Sequence, residues 1–450
     1  MSPSLMNPWF MAAILLSLML FFIAVLRAWQ VLSHPDPEMV RKVFHLGGGL
    51  LALPLPWLFS TPLPVVVLGT TTMIVFALLR TIPALRSGPG QVLAGVHRDT
   101  IGEFCFILSL MLLFLLARDT PLLYGVPLLI LAIADTFAAL IGVEYAKFHY
   151  SNRTGGKSVE GSTAFFLAAF FCVHVPVLLL TDTPRLACLL IGINIGVMVM
   201  MAEAAAWWGL DNLIIPMFSY VLLKTFLNLN ATDLLEHLSF LIVLALFIHF
   251  WRKRTTLASN ALFGATLWGY AAWAIGGWQW VIPPLILIIT YTSVTQRTPT
   301  DHLRMFDFPV VLANIFGGII WLLLFWHLQD PRIFTAYAAV FGSDLSMVAL
   351  VRHRHAHPDV RLAYSVLWSI GKGLLLLVPS IVLFWGLGVA ALKSYAAATL
   401  AVILATALFA MLQPRLRHFP VDTARWLRQS VVTTFASLLG LLPEFLPALW

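Results

Sequence analysis

Hydrophobic positions in this chain neither alternate with polar ones at a strand period nor mark one stripe of a surface helix. They come in runs. Apolar stretches of roughly membrane-spanning length occur near 9–26, 43–60, 63–79, 101–117, 121–143, 160–181, 185–207, 212–229, 235–251, 257–276, 278–292, 308–326, 333–349, 363–388 and 395–413. A last run, 431–449, spans, lies in the interface or re-enters. A transmembrane barrel needs alternating strands of about ten residues, and the chain shows none. The pattern predicts an all-α polytopic integral membrane protein with about 15–16 transmembrane helices.

Composition agrees. Of 450 residues, 60% are hydrophobic and 10% charged, with a mean hydropathy of +0.91. That is too little charge to cover a soluble protein of this length. A net charge of +7 invites a nucleic-acid partner, but its distribution points elsewhere. Placing the N-terminus outside puts most basic residues on the cytosolic side, among them Arg27, Arg41, Lys42, Arg80, Arg98, Lys147, Arg153, Lys157 and Arg252. This is the positive-inside bias, so topology accounts for the excess and no nucleic acid is expected. The first apolar run lacks a small-residue cleavage site and reads as a signal anchor. Cys105, Cys172 and Cys188 lie in apolar runs with no metal-ligand spacing and give no disulfide framework.

No loop is long enough for a soluble domain. The basic stretch after Trp251 is the natural boundary, giving an N-terminal domain over 1–251 and a C-terminal one over 252–450. Acids concentrate in the first. An ionisable group near the centre of a membrane helix costs about 2.5–3.5 kcal/mol on insertion scales, so each needs a reason. Glu103, Asp135, Glu160, Glu203 and Asp211 approach one membrane face from consecutive spans. Glu103 or Glu160 alone reads as an ordinary helix-end residue; the five together read as an aqueous polar site.

Between two of these spans runs His149-Tyr150-Ser151-Asn152-Arg153-Thr154-Gly155-Gly156-Lys157-Ser158-Val159-Glu160. Gly155 and Gly156 let the backbone curl so that N–H groups converge, and a helix start follows. Lys157 adds a positive charge and Ser158 a hydroxyl. These are parts of a phosphate cradle, though Ser151 stands where a Walker A loop needs glycine. The plainer reading is a basic loop with Ser158 as helix cap, and the loop alone does not choose between them. Phosphoryl transfer needs acids for magnesium, cations and N–H groups for phosphates, and a positioned hydroxyl. Asp135, Glu203 and Asp211 supply the first of these.

Four segments carry a family resemblance. Arg41-Lys42-Val43-Phe44-His45, Ala134-Asp135-Thr136-Phe137-Ala138 through Gly142, Lys157-Ser158-Val159-Glu160-Gly161-Ser162, and Glu203 followed by Asp211-Asn212 and Pro216 resemble, in order, the signatures of dolichol kinases, phytol kinases and CTP-dependent diacylglycerol kinases. The resemblance covers about residues 38–225. It implies a kinase that moves phosphate from CTP, with Mg2+, to a membrane-resident lipid alcohol of phytol, dolichol or farnesol type. It also implies catalytic roles for Asp135, Lys157 and His45, and nucleotide or phosphate contacts at Arg41, Lys42, Gly155, Gly156, Lys157, Ser158 and Asn212. Asp135, Glu203 and Asp211 would hold the metal. The competing expectations are a lipid or small-molecule transporter or flippase, supported by the two-half layout, and a cytidylyltransferase acting on a lipid phosphate.

The second half resembles phytyl phosphate kinases, at Asn260 to Ala265, Gly276-Gly277-Trp278 and Val311-Leu312-Ala313-Asn314. That family's Gly-Asp-Thr segment reads Gly342-Ser343-Asp344-Leu345 here, and no glycine-rich phosphate loop follows. Arg352-His353-Arg354-His355-Ala356-His357 reads as a basic cytosolic turn in preference to a metal site. The compact loops favour a bacterial inner membrane.

Overall fold

In the computed structural model, the chain is described over residues 7–94, 101–150, 157–206, 208–252, 255–293, 306–413 and 423–442. Gly155, Gly156, Arg98 and Arg153 lie outside these residues. The chain divides into two compact units, Met1–Ser239 and Phe240–Trp450.

The first unit runs α1 (Pro8–Ser33), α2 (Pro37–Ala52), the single turn α3 (Leu55–Leu58), α4 (Pro62–Thr81), the short α5 (Pro83–Arg86) and α6 (Gln91–Ala94), then α7 (Gly102–Ala117) and α8 (Pro121–Leu129). A π-helical turn, Ile130–Ala134, leads without a break into α9 (Asp135–Tyr145). Strands β1 (His149–Tyr150) and β2 (Lys157–Ser158) pair antiparallel, His149 opposite Ser158 and Tyr150 opposite Lys157. α10 (Val159–Leu180), α11 (Arg185–Ala205), α12 (Asp211–Phe226) and α13 (Ala231–Trp251) follow, the unit boundary falling within α13. The second unit continues with α14 (Ser259–Gly276), α15 (Trp278–Ser293), α16 (Phe308–Leu328), α17 (Ile333–Ala356), α18 (Leu362–Trp385), α19 (Val389–Leu412) and α20 (Thr423–Ser437).

The protein is an all-α polytopic membrane protein. Among the described residues, ten helices are long and apolar enough to cross a bilayer, and Gly102–Ala117 and Trp278–Tyr291 are shorter apolar helices. The run at 43–60 is a corrected boundary. Its helix begins at Pro37, capped by Asp36, whose side chain accepts from Glu38 N at 2.7 Å, and ends at Ala52, ahead of Pro54. The run at 212–229 is likewise the 16-residue Asp211–Phe226. Large apolar side chains such as Phe21, Leu32, Leu179, Phe250 and Met411 stand exposed, as a lipid-facing surface requires and an aqueous one does not tolerate.

Burial separates central helices from peripheral ones. In the first unit the α11 window is 67% buried and that of α1 only 17%, so α11 is core and α1 faces outward. In the second unit the α17 window is wholly buried. Tyr337, Phe341, Leu345 and Leu350 of α17 are fully enclosed, which makes it the axis around which α16, α18, α19 and α20 pack.

Candidate active site

The site begins with a buried ion pair. Lys42 Nζ donates to Asp135 Oδ2 at 2.6 Å, and both side chains are buried. His45, one turn along α2, sets Nε2 3.9 Å from the same carboxylate oxygen. That nitrogen has no hydrogen-bond partner, although the ring is hydrogen-bonded to the Leu131 backbone. The phenyl ring of Phe106 lies 4.5 Å from the imidazole, centroid to centroid. Two sequence segments far apart in the chain thus form one polar centre.

The local sequence explains how they meet. Pro127 lies inside α8 and cannot donate a helical hydrogen bond. The helix then widens into the π turn directly before Asp135, a rare geometry that recurs at functional sites. Gly49 lets α2 approach this turn closely: a Cβ there would stand 2.5 Å from Ala132 Cβ. Thr136 completes the junction, its hydroxyl donating to the Ala132 carbonyl at 2.8 Å and, more distantly, to the Lys42 carbonyl at 3.5 Å.

Charge extends outward from this centre. Arg41 is ion-paired with Glu38 at 2.5 Å and acts electrostatically on Asp135 and Asp211. Glu103 lies 4.0 Å from Arg80 and within the field of Arg41. Asp211 keeps a buried oxygen, Oδ1, with no hydrogen-bond partner. Glu38 and Arg80 belong to the network although the sequence reading gave them no part in the site, whereas Glu103 was among the five acids it grouped there. The signal for Glu38 was present: it sits three residues before Arg41 on one helix.

A second pair ties the β1–β2 ribbon to α11. Lys157 Nζ donates to Glu203 Oε1 at 2.7 Å and also to the Glu203 carbonyl. Ser158 caps α10, accepting from Gly161 N at 3.0 Å. Glu160 accepts from Phe148 N at 3.4 Å and closes the ribbon. Asn212 has a structural partner: its Nδ2 donates to the Gly102 carbonyl at 2.9 Å. Gly209 makes that contact possible. Its φ is +83°, and a Cβ there would stand 2.4 Å from Gly102 Cα.

Among the described residues no three His, Cys, Asp or Glu side chains gather as a metal cluster. Asp135, Glu203 and Asp211 therefore do not form a ready-made three-acid site: Asp135 Oδ2 meets Lys42, Glu203 Oε1 meets Lys157, and Asp211 Oδ1 stands apart. The three cysteines are free and buried.

In the second unit Asp344 is fully buried, and its contact is an amide. Gln429 Nε2 donates to Asp344 Oδ1 at 3.0 Å and to Asn314 Oδ1 at 2.8 Å. The sequence reading missed Gln429, which lies 85 residues further on. Arg352 to Ala356 is not a turn but the last part of α17, with His357 just beyond it; Arg352 and Arg354 are buried. Arg352 packs on the Tyr291 ring at 4.3 Å, and Arg354 donates to the Val360 carbonyl.

No family model matches the chain, and no solved structure does. A phytol kinase from Synechocystis sp. is 29% identical over 191 residues, 42% of this chain and 79% of the relative. In sequence, then, this membrane protein is similar to a phytol kinase over somewhat less than half of its length.

Proposed function

We propose that the protein is a kinase that phosphorylates a membrane-resident lipid alcohol, with CTP as donor. The observation that carries this reading is the buried Lys42–Asp135 pair with His45 beside it. It joins two of the resemblance segments at one point, and the chain is similar to a phytol kinase. A buried ion pair contributes little net stability, so a catalytic use is the better reason for it.

In this reading Arg41, Lys42 and Lys157 bind the nucleotide's phosphates, charge against charge. Asp135 holds Lys42 and His45 in place. The lipid hydroxyl attacks the terminal phosphorus, the bond from that phosphorus to its bridging oxygen breaks, and the nucleoside diphosphate leaves. His45 Nε2, free of other partners, takes the hydroxyl proton. Magnesium, which is typically bound by one or two carboxylates together with substrate phosphates, would be held by Asp211, whose Oδ1 has no hydrogen-bond partner, with Asp135 or Glu203 as second carboxylate. The ion would neutralise phosphate charge there.

Two variants separate chemistry from folding. Asp135→Asn leaves Lys42 buried without its counter-charge, which costs about 3–5 kcal/mol. It loses both activity and thermal stability. The double change Lys42→Met with Asp135→Leu removes both charges; it recovers thermal stability and stays inactive. Kinase activity in the purified double variant contradicts the assignment.

A further inference from the structure

Beside the polar centre, on the other side of the Phe106 ring, lies a cavity of about 90 Å3. Its walls come from five elements of the first unit: Met19 of α1, Phe44 and Gly48 of α2, the α3 turn, Gly69 of α4, and Phe106 and Met111 of α7. They are almost wholly apolar. Along α2 the wall extends from Phe44 to Ala52, about 12 Å at the helical rise.

Two faces of α2 divide the work. Lys42, His45 and Gly49 turn toward Asp135 and the π turn. Phe44, Gly48 and Leu51 turn toward the cavity. Phe106 touches both faces. Its ring packs on His45, and it would be the first atom group met by a Cβ at Gly48, at 3.4 Å. His45 is not itself part of the lining; the Phe106 ring, packed on its imidazole, is the wall residue that joins the cavity to the polar centre.

We infer that this cavity receives the hydrocarbon chain of the alcohol, and that Gly48, Phe106 and Met111 set which chains fit. The inference rests on the kinase reading above and goes beyond it by assigning the lipid subsite. The occupant must be apolar along its length, because water gains nothing against such walls. A hydroxyl suits its polar end, because on the far side of Phe106 an imidazole nitrogen stands next to a carboxylate. Met111 closes the far wall against Gly69, where a Cβ would stand only 2.4 Å from its sulfur. At Gly48 a methyl group makes ordinary contact, whereas a larger side chain enters the cavity.

Two measurements on the full chain in liposomes test this. The first is photolabelling with a phytol analogue carrying a mid-chain diazirine, read by peptide mass spectrometry. Label is expected on α1, α2, α4 and α7 at the cavity wall and is displaced by phytol. Label confined to other helices overturns the inference, whether or not the protein is a kinase. The second compares Gly48→Leu and Gly48→Ala with wild type on phytol and on the shorter geraniol. Gly48→Leu should lower kcat/KM for phytol about tenfold or more, the scale of pocket discrimination, and leave geraniol within about threefold. Gly48→Ala, which adds one methyl group, should fall between wild type and Gly48→Leu on phytol. Equal loss on both alcohols overturns the chain-fitting role. A wild type that phosphorylates neither alcohol refutes the kinase reading, and the photolabelling then decides the cavity by itself.

Discussion

At the scale of single residues, the cations of the site, Arg41, Lys42 and Lys157, each sit on a carboxylate. Lys157 illustrates what that implies. It is held by Glu203, so it is placed before any nucleotide arrives, and a phosphate must compete with a carboxylate for it. Lys157→Ala is expected to raise the nucleotide KM, lower kcat, or both, because a contact to the transferring group matters most in the transition state. Discrimination between CTP and ATP should survive in the residual activity, since an ammonium reads phosphate and not base. A nucleotide titration on the purified variant checks both points, and unchanged kinetics would leave the lysine a structural tie. The sequence alone showed the acids of this site, because acids in apolar runs are conspicuous. It did not show the role of Lys42. An Arg-Lys pair at a cytosolic span start is what the positive-inside rule produces anyway, and only the family resemblance singled it out. The Lys157–Glu203 pair, 46 residues apart, was illegible because no local pattern specifies which helices become neighbours.

At the scale of elements, two local distortions position the chemistry. One is the π turn ahead of Asp135; its sequence trace is Pro127, which marks a disturbed helix without saying that the helix widens instead of breaking. The other is the turn before α12. Trp208 has a φ of 58° and Gly209 one of 83°, and Ile101 N donates to the Trp208 carbonyl at 3.1 Å. With the Asn212 amide on Gly102, this turn fastens the start of α12 to the start of α7, and so places Asp211 near Glu103 and Arg41. Gly209→Ala meets a left-handed backbone penalty of about 1–2 kcal/mol and a clash with Gly102. It should lower the Tm and reduce activity together, although it touches no proposed substrate group. A thermal melt with an activity assay on the same preparation tests this; a wild-type melting curve would show that the turn is not under constraint. In the sequence Gly209 is a glycine two residues before Asp211 and nothing more. Its function as a spacer between two helix starts needs the fold to be seen.

At the scale of the whole molecule, hydropathy was enough to give the all-α membrane class, because runs of apolar residues permit little else. It was less able to count and bound helices. The run at 43–60 conceals the end of α2 at Ala52, and the runs at 43–60 and 212–229 correspond to 16-residue helices. The two units also differ in chemistry. The first has a lysine on its buried aspartate, the second an amide on Asp344. An amide supplies no charge for phosphate, so Asp344→Asn should leave lipid-alcohol phosphorylation unchanged, and a large loss of activity would give the second unit a part in the reaction. The central claim concerns which atoms are transferred, and one experiment reads that directly. Purified protein in defined liposomes with phytol and Mg2+ is given CTP labelled either at the terminal or at the innermost phosphorus. A kinase moves only the terminal label into a lipid monophosphate, releases CDP, and leaves the innermost label in the nucleotide. Innermost label in the lipid, with release of pyrophosphate, or no label in the lipid from either nucleotide, would contradict the account.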